Sequence, residues 1–322
     1  MRWTRIGEER GADPALTEIP AARMEGTVEL SDGRSIGLAE YGNPDGDAIF
    51  WLHGTPGGRC QAPPMARRIA LERGVRLIGV ERPGVGRSTP HLHESVVGAA
   101  GDIEQIADRL NVDRFGIVGL SGGGPYVLAC AHEHPDRVVA GAVLGGVAPT
   151  CGDEAASGGA VAVARRLRVL LDRLYRPLGH LTWGLTYALR PLASQVFDLF
   201  IATMPQGDQD VMYRPEMKAM FIDDLLRAGR SQMHAPIADI VLFARPWGFS
   251  LGDIRVPIRF WHGDADHIVP LEHGRHQAAL VPDSELVIRP NEGHMGSLDA
   301  ADEIIAAILG LWRQDDRVPA RA

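Results

Sequence analysis

One stretch, Phe115-Gly116-Ile117-Val118-Gly119-Leu120-Ser121-Gly122-Gly123-Gly124-Pro125-Tyr126-Val127-Leu128-Ala129-Cys130-Ala131, joins an apolar run, a glycine-flanked serine and a second apolar run without a gap. The first run reads as a buried strand. The second reads as a helix with proline in its first turn. A sharp turn between strand and helix lifts a serine hydroxyl clear of its surroundings. Such a backbone is unfavourable for serine and is tolerated chiefly at working sites. Gly119 and Gly123 leave room for neighbouring backbone. The N–H of Gly122 falls at the positive end of the following helix, where it can meet a developing oxyanion. The same Gly-x-Ser-x-Gly pattern recurs around Ser35 and Ser250. Ser35 lies in a predicted hairpin and Ser250 in a loop leading to a strand, so context selects Ser121.

Outward from that turn, short apolar strands alternate with helical segments. Segments 27–30 and 35–41 read as a hairpin around Asp32-Gly33. Strands are predicted at 48–52, 76–80, 115–120 and 138–144, with helices at 64–73, 97–110 and from Pro125. After Val147 this rhythm stops, and residues 150–249 are helical and irregular, with six prolines. It resumes with strands at 257–261 and 285–288 and a helix at 298–312. Apolar strands separated by helices imply a mostly parallel sheet covered on both faces. The expected organisation is an N-terminal arm (1–25), an α/β core (26–149 and 250–322) and an inserted helical cap (150–249). Within the cap, Leu167, Leu170, Leu171 and Leu174 follow helical spacing. Six arginines (165, 166, 168, 173, 176 and 190) face only Asp172 and Asp198 across 161–203. That segment reads as a helix packed on the core with a basic outer face; the alternative is an interfacial helix that reaches lipid.

The chain has 322 residues, 45% of them hydrophobic, and a net charge of −8. That suffices for a large core. No long basic run suggests nucleic-acid binding. Three cysteines, 60, 130 and 151, give no disulfide framework. No leader-like apolar run opens the sequence, and none approaches a membrane span. A cytoplasmic, reducing compartment is the expectation.

A serine hydroxyl needs a base, and a histidine base needs a carboxylate to fix its tautomer. Sites in open α/β sheets form beyond the carboxyl ends of strands. His294, in Asn291-Glu292-Gly293-His294-Met295-Gly296, follows the last predicted strand and is the expected base. Asp266, in Gly263-Asp264-Ala265-Asp266-His267-Ile268-Val269, follows the strand before it and is the expected acid. Asp264 and Asp153 are rivals, though loop carboxylates commonly only shape turns. Loop 53–58, His53-Gly54-Thr55-Pro56-Gly57-Gly58, follows strand 48–52 and should supply the second oxyanion donor. Pro56 has no N–H, so Thr55 is the candidate.

Together these residues resemble the α/β-hydrolase superfamily over 26–149 and 250–314. The resemblance rests on loop 53–58, Glu81-Arg82-Pro83-Gly84-Val85-Gly86-Arg87-Ser88, the Ser121 elbow and the order Ser121, Asp266, His294. The family's acid has Gly three residues before it and Val three after, which selects Asp266 over Asp264. Two loops look like those of the branch containing proline iminopeptidases and related esterases. Thr55 stands where those peptidases carry glycine, and Gly122 where they favour tryptophan. Glu81 replaces the usual aspartate. Serine at the nucleophile position argues against epoxide hydrolases and haloalkane dehalogenases.

The reaction implied is two-step acyl transfer on a small-molecule carboxylic ester, with no metal or organic cofactor. Catalysis falls to Ser121, His294 and Asp266, with Thr55 and Gly122 at the oxyanion. Leu181, Trp183, Phe197, Phe200 and Phe221 are expected to line the substrate space or the cap's own core. Aminopeptidase or amidase, C–C hydrolase or perhydrolase, and a non-catalytic binding protein on the same scaffold stay open, because fold similarity fixes no substrate. A peptidase would need a cap carboxylate for the substrate amine; Glu216, Asp223 and Asp224 are available.

Overall fold

A computed structural model describes residues 2–4, 18–156, 159–230 and 232–315, with the side chains of 2–4, 159–169, 171 and 172 left aside. Nine strands form one sheet in the order β1-β2-β3-β5-β4-β6-β7-β8-β9 among these residues. The strands are β1 (Arg2–Thr4), β2 (Met24–Glu29), β3 (Ser35–Gly42), β4 (Ala48–Leu52), β5 (Arg76–Val80), β6 (Phe115–Leu120), β7 (Val138–Leu144), β8 (Ile258–Gly263) and β9 (Ser284–Arg289). β1, β2 and β3 run antiparallel, and β3 meets β5 antiparallel. From β5 onward every pairing is parallel.

β4, β6 and β7 are buried along their whole length. Their sequences are continuous apolar runs because both faces are covered. Phe50 and Leu52 belong to one core, with helices α2 (Ala100–Arg109) and α3 (Gly124–Glu133). Ile49 and Trp51 belong to the other, with α1 (Pro64–Glu72) and α10 (Ala301–Asp315). This is the period-two alternation of a strand sandwiched between helix layers.

Between β7 and β8 lie α4 (Gly159–Ala188), α5 (Ala193–Ile201), α6 (Gln206–Met212), α7 (Pro215–Ala228) and α8 (Ala235–Phe243). α9 (Leu271–Leu280) joins β8 to β9. Strand register brings the carboxyl ends of the central strands level. Leu52 pairs with Gly119, and Leu120 with Leu144, so the loops after β4, β6 and β7 leave the same edge of the sheet. No helix among the described residues is long and apolar enough to cross a membrane.

Two expectations need amendment. Residues 2–4 of the expected N-terminal arm form an edge strand on β2, which itself begins inside the arm, at Met24. Residues 1 and 5–17 of the arm lie outside the described residues, while Ile19 is buried in the core beside α1 and α10. In α4, Leu170 and Leu174 are 54% and 37% exposed rather than packed on the core. The side chains of residues 165–168, 171 and 172 in that predicted basic helix also lie outside the description.

Candidate active site

Ser121 opens the turn after β6 with φ of +52°, a left-handed conformation rare outside glycine. The turn closes so tightly that a Cβ on Gly119 would lie 2.5 Å from the Gly123 backbone. One on Gly123 would lie 2.5 Å from Leu52 O. α3 follows at once, with Pro125 in its first turn. Ser35 instead sits within β3, and Ser250 accepts from Gly252 N–H at 3.2 Å at the start of a single 3-10 turn. The sharp strand-to-helix turn is what distinguishes Ser121 from both.

His294 and Asp266 arrive from the loops after β9 and β8. His294 Nδ1 lies 2.7 Å from Asp266 Oδ2. The pair rests on Gly145, just past β7, where a Cβ would lie 3.2 Å from His294 Nδ1. Asp266 Oδ1 accepts the N–H groups of Ile268 and Val269, both at 2.9 Å. His262 Nε2, on β8, stands 3.5 Å from Oδ2 while donating to Val269 O at 2.8 Å. Burial alone would push this carboxyl up. The contacts from His262, His294 and the backbone outweigh it and hold Asp266 well below the usual carboxylate range. Asp264 Oδ1 only accepts the N–H of Asn291, at 2.7 Å. Asp153 is exposed in a turn.

Thr55 and Gly122 are direct neighbours. A Cβ on Gly122 would lie 2.2 Å from Thr55 Oγ1. The two departures from the peptidase-like pattern are therefore one packing choice: threonine at 55 leaves space at 122 only for glycine. Thr55 Oγ1 donates to Asp239 Oδ2 at 2.5 Å. Arg82 Nη2 donates to the same oxygen at 2.8 Å and to Gly54 O at 2.8 Å. His53 is buried; its Nδ1 donates to Gly54 O at 2.7 Å and its Nε2 accepts from Arg82 N–H at 3.1 Å. Burial and the Arg82 charge push its pKa well below the usual histidine value, so it shapes the loop as a neutral ring.

A cavity of about 530 Å³ is lined by Thr55, Ser121 and His294 together with residues of α4, α5, α7 and α8. Phe197, Phe200 and Phe221 lie on its wall, as expected. Leu181 is 67% exposed, and Trp183 packs against the small cluster of Val85, Ala228, Met233 and Ala235. Leu181 thus fits neither expected place, whereas Trp183 takes the second of them, in the packing of the inserted helices. Among the described residues no cluster of His, Cys, Asp or Glu could hold a metal ion.

Sequence reasoning passed over Asp208 and Asp239, whose partners are mostly backbone or distant side chains. Asp224 was considered only as an amine holder. Asp208 Oδ1 accepts from Gly293 N–H and Gly296 N–H, both at 2.8 Å. Asp224 accepts from Gly58 N–H at 2.8 Å and Cys60 N–H at 2.9 Å. No periodicity or motif marks such contacts.

Comparison with known proteins agrees with this fold. Residues 47–301 match the family model for the alpha/beta hydrolase fold. A proline iminopeptidase from Arabidopsis thaliana is 34% identical over 125 residues, 38% of this chain and 32% of that protein. A probable proline iminopeptidase from Leptolyngbya boryana is 35% identical over 130 residues, 40% of its length, so the chain spans well under half of these relatives. A 2-hydroxy-6-oxononadienedioate/2-hydroxy-6-oxononatrienedioate hydrolase from Pseudomonas sp. is 24% identical over 92% of this chain and 98% of its own. An esterase from Thermogutta terrifontis shares the fold with a TM-score of 0.64 and 20% identity, over 90% of this chain and 98% of that one.

Proposed function

This chain belongs to the alpha/beta hydrolase fold family, and we propose that it is a serine hydrolase cleaving small-molecule carboxylic esters through Ser121, His294 and Asp266. The observation that carries the reading is a buried, hydrogen-bonded His294–Asp266 pair opening on the same cavity as a strained Ser121.

Ser121 Oγ attacks the ester carbonyl carbon while His294 Nε2 accepts its proton. The N–H groups of Thr55 and Gly122 meet the oxyanion. His294 then protonates the leaving alkoxide, and the acyl group stays on Ser121. Water, deprotonated by the same imidazole, attacks the acyl-enzyme and releases the acid. Asp266 holds the imidazole in register and supports its charged form. The helices between β7 and β8 act as a cap, and the mainly apolar wall receives the acyl or alcohol group.

The carboxylates that an aminopeptidase would need are engaged elsewhere. Glu216 pairs with Arg68 at 3.3 Å and Asp223 with Arg227 at 2.7 Å. Asp224 faces the cavity, but both its oxygens accept backbone N–H groups, and burial pushes its carboxyl up to about 7. A carboxyl whose two oxygens already accept backbone N–H groups holds an ammonium poorly. This favours esters over N-terminal amides.

A p-nitrophenyl ester panel beside aminoacyl p-nitroanilides, with Ser121→Ala as control, tests the reading. Ester turnover abolished by Ser121→Ala supports it. Preference for prolyl or alanyl anilides replaces it with the peptidase, and turnover of a vinylogous diketone alone replaces it with a C–C hydrolase. Fluorophosphonate labelling without turnover of any panel member points to a binding protein.

A further inference from the structure

Three carboxylates, on three successive helices of the inserted segment, reach the loops at the catalytic edge of the sheet: Asp208 the His294 loop, Asp224 and Asp239 the loop after β4. Asp208 on α6 takes the N–H groups of Gly293 and Gly296 on one oxygen and that of Met295, at 3.0 Å, on the other. Those amides bracket His294 on both sides. Asp224 on α7 takes the N–H groups of Gly58 and Cys60, in and just past the loop after β4. Asp239 on α8 takes the Thr55 hydroxyl, the Arg82 guanidinium and, at 2.7 Å, the Tyr126 hydroxyl. Their relative exposures are 0%, 1% and 1%. The bonds cross 85 to 88 residues for Asp208 and 184 for Asp239 with Thr55, so they tie the insertion to the core rather than stabilise local turns.

Asp208 is the sharpest case. No cation among the described residues pairs with it; three backbone amides are its hydrogen-bond donors. A buried carboxylate persists only when its lone pairs are filled, and charge-assisted bonds to N–H are strong and short. Gly207, beside it, packs so closely that a Cβ there would lie 2.7 Å from Asn291 O. Lifting α6 from the His294 loop would strand the carboxylate and three donors together.

We propose that Asp208 is a positioning residue for the base His294, with Asp239 doing the same for the oxyanion residue Thr55. The inserted helices are thus a fixed part of the catalytic frame, not a lid that swings away from it. This inference rests on the hydrolase reading above. Asp208 sets where the His294 ring stands relative to Asp266 and Ser121, and a displacement near 1 Å costs about 100-fold in rate.

The test compares Asp208→Ala, Asp208→Asn and, as control on the same helix, Asp210→Ala, whose exposed carboxylate accepts from Gln206 at 2.7 Å and has no bond to the His294 loop among the described residues. Steady-state kinetics on a p-nitrophenyl ester, the pH profile of kcat/KM and amide hydrogen exchange at 293–296 are read in parallel. Asp208→Ala is expected to lower kcat about 100-fold with KM changed less than about threefold. Its acid limb moves to lower pH as His294 loses its hold on Asp266, and the amides of Gly293, Met295 and Gly296 exchange faster. Asp208→Asn keeps one acceptor oxygen and falls between; it carries the test if the alanine variant fails to fold. Faster exchange with kcat and pH profile unchanged overturns the inference and leaves the hydrolase reading intact. An equal effect from Asp210→Ala overturns it as well. Absence of both turnover and fluorophosphonate labelling in the unmodified enzyme overturns the hydrolase reading and the inference with it, while the exchange data still report whether the clamp exists.

Discussion

Thr55 Oγ1 and the α-hydrogen edge of Gly122 face each other so closely that a side chain at 122 has nowhere to go: its Cβ would stand 2.2 Å from the hydroxyl. Steric coupling of this kind is non-additive by construction. Gly122→Trp alone should lose about 100-fold in kcat, because residue 122 also carries an N–H proposed to meet the oxyanion. Adding Thr55→Gly should recover much of that loss. Kinetics of the two single variants and the double variant check it, and additive losses would show that the residues do not share space.

The His294–Asp266 contact predicts a large catalytic effect from a small change. Asp266→Asn should reduce kcat about 10,000-fold by favouring the wrong imidazole tautomer. Asp264→Asn should stay within about threefold, since its carboxylate only accepts Asn291 N–H. The reverse ranking would reassign the acid. The depressed Asp266 carboxyl also has a stability consequence. Its contribution is fully present above the unfolded value near 3.9 and is lost as pH falls below it. Stability between pH 5 and 8 should therefore not respond to this group.

Asp224 has the opposite sign. Its carboxyl is raised to about 7, so the folded state retains a proton that the unfolded chain has released. Stability falls as pH rises from about 4 to about 7, by on the order of 1 kcal/mol per unit from this group. Asp224→Asn should remove that slope. Urea unfolding of both proteins at pH 5 and pH 8 reads the difference, and parallel pH dependences would refute it.

Arg59 bridges two buried carboxylates, donating to Glu25 Oε2 at 2.6 Å and to Glu81. Replacing the cation alone strips Glu81 of its guanidinium partner and leaves Glu25 with Arg227 at 3.4 Å. Arg59→Met should cost about 3–5 kcal/mol by denaturant unfolding. A loss below about 1 kcal/mol would mean the network relaxes into water.

Ala193, Val196 and Phe200, all on α5, line the cavity. Each methylene buried there is worth about 0.8 kcal/mol, or roughly fourfold in kcat/KM. Activity should rise with acyl length until the space is filled, and Ala193→Phe should move the optimum to shorter chains. An unchanged chain-length profile would place the acyl group elsewhere.

The strands from β4 onward, their helices and the Ser121 turn were legible because their signals are local. Apolar runs of five to seven residues bounded by turn signals are too short for typical helices and read as strands buried on both faces. The residues proposed for chemistry could be named because parallel strands present their carboxyl ends at one edge. Leu181 was misplaced, and Trp183 left open between cavity wall and cap core, because a side chain's place there depends on how irregular helices rotate against one another, which helical spacing alone does not fix. β1 escaped notice because three residues carry no usable period.

By itself, then, the chain's order of residues determined the layered sheet, the strained serine and the loops that bear an imidazole and a carboxylate, since each depends on neighbours within a few positions. Only the folded packing decided that Asp208, Asp224 and Asp239 grip those loops, that Gly122 answers Thr55, and how large a cavity remains. Such contacts join positions up to 184 residues apart, often through backbone N–H groups that every residue except proline carries, so the partner leaves no mark in the sequence.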